Sequence, residues 1–305
     1  MIGDITYTVP HLMYWDWRIA ADLFIGGVGV GAFVIAVLNS LYYKDKYPAV
    51  SKIGAVLSPI LIAVGLLFLL SELGHPMRIW RTVTGFNASS PLSWGALFQT
   101  LMIIVGAIYA RMWLKPGSSK AARNLVGIMG LPIALIVGAN HGWLLAISPA
   151  RPLWNTGPAT ITAMIGFATT GMAAILLLLC LKKHKAPSAE EPSAAWMIQD
   201  FRALLVGALI VQTLTFLVWY VSLNYGSADA QASLAAANEA YGPLFWFVGI
   251  GLGLIVPVLL QLPGIVGKKD PGKTPNVPLT LLTVVLILVG GYVFRYAVVM
   301  GGQIL

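Results

Sequence analysis

The chain contains little cysteine and little charge. Cys180 is the only cysteine among 305 residues, which excludes an intrachain disulfide and an iron–sulfur cluster held by this chain's own cysteines. Charged residues make up 10% of the sequence, against about 25% in an average soluble domain. Hydrophobic residues make up 58%, and the mean hydropathy is +0.83. These values exclude an ordinary soluble domain and predict a polytopic membrane protein.

Histidine is also scarce, and this limits the metal chemistry that we expect. Of the four histidines, His11 and His184 lie in polar segments. The other two, His75 and His141, cannot form a transmembrane pair of bis-histidine haems, and no HExxH pattern is present. We therefore expect no haem and no bound metal in this chain. The net charge of +8 does not indicate nucleic acid, because the basic residues lie in short loops beside apolar runs.

Eight apolar runs are long enough, at about 20 residues each, to cross a bilayer. They cover about residues 18–42, 52–73, 92–114, 122–147, 158–181, 197–224, 242–262 and 278–301. None shows the alternation of a membrane β-barrel, so we expect an all-α protein with eight transmembrane helices. We expect one integral membrane domain over 1–305, built as two four-helix bundles from the halves 1–157 and 158–305.

The basic residues predict the orientation of these spans. Fourteen Lys and Arg residues lie in or beside the loops after spans one, three, five and seven, and four lie on the other side. The positive-inside rule then places both termini on the outer side of the membrane. The first 17 residues lack the features of a removable signal peptide.

Polar residues within the spans gather towards the outer side. An ionisable residue in a span costs about 2.5–3.5 kcal/mol to insert, so it usually faces a cavity or a partner. We see no ionisable residue in the inner half of any span. The outer group consists of Asp22, Glu72, His75, Arg78, Asn140, His141 and Arg295, with Gln212, Trp219 and Tyr220 along span six. We predict a polar pocket among helices one, two and four, with six or eight beside it.

Each of these residues also has a purely structural interpretation. Asp22 sits one helical turn after Arg18 and has the spacing of an ion pair. Glu72 has Arg78 or Arg295 as possible ion-pair partners. His141 has the option of donating to a carbonyl of a neighbouring helix. The segment from Arg151 to Trp154 has the composition of an interfacial turn, and the GxxxG pair Gly27 and Gly31 predicts a close helix contact.

The outer group has the chemistry that a quinone head group requires. Such a ring needs hydrogen-bond donors for two carbonyl oxygens, an acid or base for the protons, and an apolar trough for the tail. His141 is a suitable donor, and Asp22 or Glu72 is a suitable proton acceptor. The residues leave two other functions open, a secondary transporter and a structural anchor without a quinone site.

Three stretches resemble the NrfD/polysulfide-reductase family of membrane subunits. They are SELGHPMRIWR, NASSPLSWGALF and HGWLLAISPARPLWNTG, all within residues 71–157. The resemblance implies a quinone-interacting subunit, without redox cofactors of its own, in a prokaryotic cytoplasmic membrane. It also implies a four-cluster ferredoxin-like iron–sulfur partner on the outer side, serving a molybdopterin subunit or a multihaem cytochrome. Where some relatives have histidine on helix one this chain has Asp22, and Asn140 stands where others have tyrosine.

The resemblance and the residues together give a predicted site. Asp22, His141 and Glu72 are predicted to handle protons. The predicted contacts to quinone, either menaquinone or ubiquinone, are Asp22, Asn140, His141, Gly142, Arg18, His75 and Arg295. The residues predicted to dock the partner are Arg78, Arg81, Arg151 and Trp154.

Overall fold

The computed structural model describes residues 15–43, 46–72, 80–181, 194–266 and 276–304. In these ranges the chain forms eleven α-helices and one π-helical segment, Leu244–Ile255, with no strand. The helices are α1 Trp17–Tyr42, α2 Pro48–Glu72, α3 Arg81–Thr84, α4 Pro91–Leu114, α5 Lys120–Ala146, α6 Gly157–Leu181, α7 Ala194–Asn224, α8 Ala228–Pro243, α9 Val256–Gln261, α10 Pro263–Val266 and α11 Val277–Gly301. The prediction of an all-α protein is confirmed.

Eight helical spans are long and apolar enough to cross a membrane, as the sequence predicts. Seven begin and end within a few residues of their predicted bounds. The seventh is a continuous helical stretch, Ala228–Ile265, that begins fourteen residues before the predicted start at 242. Ser227 caps its start, because its side chain accepts a hydrogen bond from the amide of Ala230 at 3.2 Å. The alanine-rich stretch that follows is a strong helix former but a weak hydropathy signal.

The spans pack as two groups of four. Helices α1, α2, α4 and α5 form the first bundle, and α6, α7, the seventh span and α11 form the second. Helix α1 joins the two by packing along α6. A Cβ atom built on Gly31 would lie 1.9 Å from the backbone oxygen of Phe167, and one on Gly27 would lie 2.2 Å from the Phe167 ring. The predicted GxxxG contact is therefore confirmed, and Phe167 is the residue that it faces.

The first and last described residues lie together at one end of the bundles, which we call the terminal face. The amide of Trp15 donates to Gln303 Oε1 at 3.0 Å, and Gln303 Nε2 donates to the Trp15 carbonyl at 2.9 Å. Trp154 stacks on Trp15 with ring centroids 5.2 Å apart, and its indole N–H donates to the carbonyl of Val298 at 2.8 Å. These contacts connect both bundles at the terminal face.

At the opposite face, the structure corrects one expectation about charge. The sixth span, Met197–Asn224, contains Asp200 and Arg202, so ionisable residues do occur in that half of the membrane. Arg202 is only 4% exposed, and its Nε donates to Gln261 Oε1 at 2.6 Å. Asp200 accepts a short hydrogen bond from the hydroxyl of Tyr47. The sequence groups Arg202 with a basic loop because KKHK precedes it, but the helix begins earlier and places it inside.

The π-helical segment lies in the middle of the seventh span and packs against α11. The contact is close because both helices have glycine there: a Cβ on Gly290 would lie 2.2 Å from the Cα of Gly253. Because π-helical turns are rare and often mark functional regions, the cavities beside this segment are of interest.

Candidate functional site

Asp22 and His141 meet inside the first bundle, in the half nearer the terminal face. Asp22 lies in the second turn of α1 and is 1% exposed, and His141 lies in the last turns of α5 and is 2% exposed. His141 Nε2 lies 3.9 Å from Asp22 Oδ2. The side chain of Gln99, on α4, lies 3.1 Å from the same imidazole nitrogen. The structure thus joins a carboxyl, an imidazole and an amide from three helices.

Glycines on the neighbouring helices make room for these side chains. A Cβ atom on Gly65 of α2 would lie 2.9 Å from Asp22 Oδ1, and one on Gly26 would lie 3.2 Å from His141 Cε1. A Cβ atom on Gly95 would lie 2.6 Å from the Asn140 amide nitrogen. Larger residues at these positions would displace the polar groups, so the sequence places glycine where the site needs space.

A cleft opens beside this group, and we call it the bundle cleft. It encloses about 430 Å³ of non-atom space, including the space at its mouth. Its lining combines polar side chains with a leucine-rich wall: Asp22, Leu66, Leu69, Leu92, Gly95, Ala96, Gln99, Asn140, His141 and Leu144. Asp22, Asn140 and His141 are therefore brought together as predicted.

Two polar atoms at the cleft have no hydrogen-bond partner within the described part of the chain. They are Asp22 Oδ1 and His141 Nδ1, both fully buried. A buried polar atom without a partner is costly, and such atoms in folded proteins usually face a ligand, water or an ion. A carboxyl oxygen is suited to accept a hydrogen bond or a proton, and an imidazole nitrogen is suited to do either. The cleft can therefore exchange protons with a ligand hydroxyl.

Arg18 and Glu72 do not belong to this cleft. Arg18 Nη2 lies 2.5 Å from Glu72 Oε2 and 2.8 Å from Asp16 Oδ2, so its ion pairs link the start of α1 to the end of α2. It does not pair with Asp22, which corrects one of the structural interpretations. Glu72 follows Gly65 by seven residues on α2 and so lies about 10 Å nearer the terminal face than the Asp22 carboxyl that Gly65 contacts. The structure gives both residues a structural role.

The Arg18 ion pairs lead to a pH-dependent prediction. The hydrogen bond from Arg18 lowers the pKa of Asp16 below its usual value, so this carboxylate stabilises the fold above that usual value, about 4. The contribution is lost as the pH falls through the lowered pKa. Arg18→Met should therefore lower the melting temperature near pH 7 and have little effect below about pH 3. Thermal unfolding of both proteins across this range measures it, and a difference that persists in acid would contradict it.

A second cavity lies between the two bundles, and we call it the inter-bundle cavity. It encloses about 630 Å³ of non-atom space, part of it open. His141 and Gly142 of α5 face it together with Arg295 of α11, which is 8% exposed. His141 thus lines both spaces. The predicted quinone contacts are divided, because Gly142 and Arg295 line this cavity and Asp22 and Asn140 line the bundle cleft.

The residues predicted to dock a partner have different environments. Arg81 is exposed on α3, with its guanidinium 5.4 Å from the exposed Trp80 ring. Arg151 is partly exposed, and its carbonyl accepts hydrogen bonds from the amides of Trp154 and Asn155. Trp154 is only 4% exposed, so its side chain packs between the bundles and we do not assign it to docking. His75 and Arg78 lie outside the described residues.

The sequence argument missed Gln99 and Thr162. Gln99 interrupts the apolar run of the third span, which is a usable signal, but polar amides were sought only beside ionisable residues. Thr162 gave no signal, because threonine is common in transmembrane helices. For metals, the described residues contain no group of three His, Cys, Asp or Glu side chains close enough to hold an ion.

Comparison with known proteins places this geometry in a family. The profile of the family described as polysulphide reductase, NrfD, matches residues 8–305. The chain belongs to the NrfD family. It is 25% identical to a polysulfide reductase chain of Wolinella succinogenes, over 96% of the sequence described here and 95% of that protein. It is also 25% identical to protein NrfD of Escherichia coli K12, over 96% of each.

A more distant relative extends the range of family members. A selenate reductase subunit of Mesobacillus selenatarsenatis is 21% identical over 81% of this chain and 66% of that protein. The NrfD chain described here is thus a multi-span membrane protein of a family with named reductase subunits among its members. The resemblance drawn from residues 71–157 is confirmed over nearly the full length.

Proposed function

We propose that this NrfD-family chain is the quinone/quinol-interacting membrane subunit of a respiratory oxidoreductase complex. The observation that carries the proposal is the buried group of Asp22, His141 and Gln99 at an apolar cleft. The names of the relatives support the broader class, since polysulfide reductase and selenate reductase are oxidoreductases. A quinone head group fits the cleft's chemistry because it needs both polar contacts for its oxygens and apolar contacts for its ring.

In the proposed reaction, quinol binds in the bundle cleft with one hydroxyl facing Asp22. Oxidation of the quinol to quinone releases two protons and two electrons. The Asp22 carboxylate takes one proton, and His141 takes the other. The electrons pass one at a time to an iron–sulfur cluster of a peripheral partner. The reverse sequence reduces quinone, and the same residues then supply the protons.

We assign the partner to the terminal face, and this face to the outer side of the membrane. The basic residues favour this orientation, since the described loops of the opposite face contain Lys46, Arg111, Lys115 and Lys120. The exposed pair of Trp80 and Arg81 on the terminal face supplies a surface suited to a protein contact. We propose a four-cluster ferredoxin-like protein there, itself serving a molybdopterin subunit or a multihaem cytochrome, in a prokaryotic cytoplasmic membrane.

The test uses the intact complex, purified from membranes, with menaquinol or ubiquinol as donor and a tight-binding quinone analogue as inhibitor. Gln99→Leu removes the amide that contacts His141. A lost hydrogen bond costs about 1 kcal/mol, so half-inhibition should need about fivefold more analogue. Gln199→Leu is the matched control, because this amide contacts the Gly264 carbonyl at the opposite face and should leave inhibition unchanged.

Two results would contradict the proposed function. Electron transfer that is indifferent to the analogue at every concentration would favour a structural anchor. A chain that is stable without partners and moves a solute across proteoliposomes would favour a transporter. Copurification of an iron–sulfur protein with this chain is the result that we expect.

A further inference from the structure

The inter-bundle cavity contains polar groups that the proposed function does not use. Besides His141 Nδ1, two buried polar atoms of residues that line it have no partner in the described ranges: the Thr162 hydroxyl and the Trp219 indole N–H. Three such atoms around one cavity are unusual, because most buried polar groups are hydrogen-bonded. Their number points to a ligand that supplies the missing contacts.

Arg295 adds a buried charge to the same wall. Its Nη1 donates to the carbonyl of Gly291 at 2.8 Å, and its guanidinium lies 5.1 Å from the centre of the Phe167 ring. No carboxylate lines the cavity, and none forms an ion pair with Arg295 in the portion of the chain that the structure describes. Gly166 keeps Nη2 close to the cavity, since a Cβ there would lie 3.2 Å from it. A hydrogen-bond acceptor is therefore the favoured occupant.

The two spaces differ in the direction of their free hydrogen bonds. Guanidinium and indole groups only donate, so Arg295 and Trp219 give the inter-bundle cavity a donor character. The bundle cleft offers Asp22 Oδ1, which accepts when it is ionised. A quinone has two oxygens that only accept, whereas a quinol has two hydroxyl groups that can also donate. Each space is thus complementary to a different redox form of one ring.

We propose that the inter-bundle cavity is a second binding site, selective for the oxidised quinone. This rests on the proposed function for the class of ligand. The quinone carbonyls accept hydrogen bonds from Arg295 and Trp219, and Thr162 donates to the same ring. Phe167 and Phe294 supply aromatic contacts for its faces. His141 forms part of the wall of both sites, so the two ring sites adjoin.

Counting bound quinone tests the second site. The complex is stripped of endogenous quinone and titrated by equilibrium dialysis with an oxidised short-chain naphthoquinone. Two alanines provide a matched pair: Ala96 lines the bundle cleft and Ala163 lines the inter-bundle cavity. We expect two equivalents in the unmodified complex, with Ala163→Phe removing the one that binds more tightly and Ala96→Phe removing the weaker one.

The pattern separates failure of this inference from failure of the proposed function. One equivalent that Ala96→Phe abolishes and Ala163→Phe leaves intact would overturn the second site alone. One equivalent that only Ala163→Phe abolishes would overturn the bundle cleft as the quinone site and retain the cavity. No binding in the unmodified complex would overturn both.

Two conservative variants test the site if the phenylalanine variants fold poorly. Thr162→Val and Trp219→Phe remove one donor each with little change of shape. Each should weaken the tighter equivalent about fivefold to tenfold, as loss of one hydrogen bond predicts. Thr213→Val is the control, because its hydroxyl donates to the Leu209 carbonyl within its own helix. Unchanged affinity in both conservative variants would overturn the assignment of the donors.

Discussion

Asp22→Asn is expected to lower quinol oxidation by the intact complex at least tenfold. Asparagine keeps the shape of the side chain but cannot take a proton, and loss of a positioned acid or base costs about a hundredfold or more in many enzymes. Asp22 is 1% exposed and, among the described residues, has no cation partner other than the His141 imidazole at 3.9 Å. Initial rates with saturating quinol, under anaerobic conditions, measure the effect.

Asp16→Asn is the matched control for this experiment. Asp16 is also a carboxylate near the terminal face, but it pairs with Arg18 and lies outside the bundle cleft. We expect its turnover to stay within about twofold of the unmodified complex, since surface ion pairs contribute little. Full activity of Asp22→Asn in an assembled complex would move the proton acceptor to another residue. Copurification of the partner chains shows that assembly persists.

Gly31→Ala is expected to have the largest effect on folding. The new methyl carbon would lie 1.9 Å from the Phe167 carbonyl oxygen and 2.6 Å from its carbon. These are backbone atoms, so the contact is relieved only if α1 and α6 separate. Overpacking of this kind costs about 1–3 kcal/mol and occasionally more. We expect a melting temperature lower by several degrees and a smaller fraction of monodisperse protein.

Gly207→Ala provides the comparison. Gly207 lies on α7, where a Cβ would meet no atom within 4 Å, and alanine is the better helix former. Its melting temperature should be unchanged or slightly higher. If both alanine variants behaved alike in thermal unfolding and size-exclusion chromatography, the close crossing of α1 and α6 would be wrong.

Hydropathy and length were sufficient to predict the eight spans, because the bilayer imposes the same physical requirement on every spanning helix. They were less informative at Ala228, where alanine favours helix without being strongly apolar. The composition of the site was also predictable at Asp22, Asn140 and His141, since polar residues in a membrane helix converge on cavities. Gln99 was missed because an amide carries no charge penalty to draw attention.

The pairing of side chains was the part that sequence did not determine. Arg18 has the helical spacing to reach Asp22, yet it pairs with Asp16 and Glu72. That choice depends on how α1 and α2 lie against each other, which periodicity does not specify. The division of the site into two spaces has the same origin, because His141 and Arg295 belong to different bundles. Only the packing of the bundles reveals that His141 serves both.

The π-helical segment Leu244–Ile255 sets the angular phase of everything that follows it in the seventh span. Its wider winding turns Gln261 towards Arg202, which it meets at 2.6 Å. Removing a single residue from the segment would let the helix wind normally and rotate Gln261 by about 100° around the axis. A buried guanidinium would then lose its acceptor, so the chain cannot shorten here without refitting its far end.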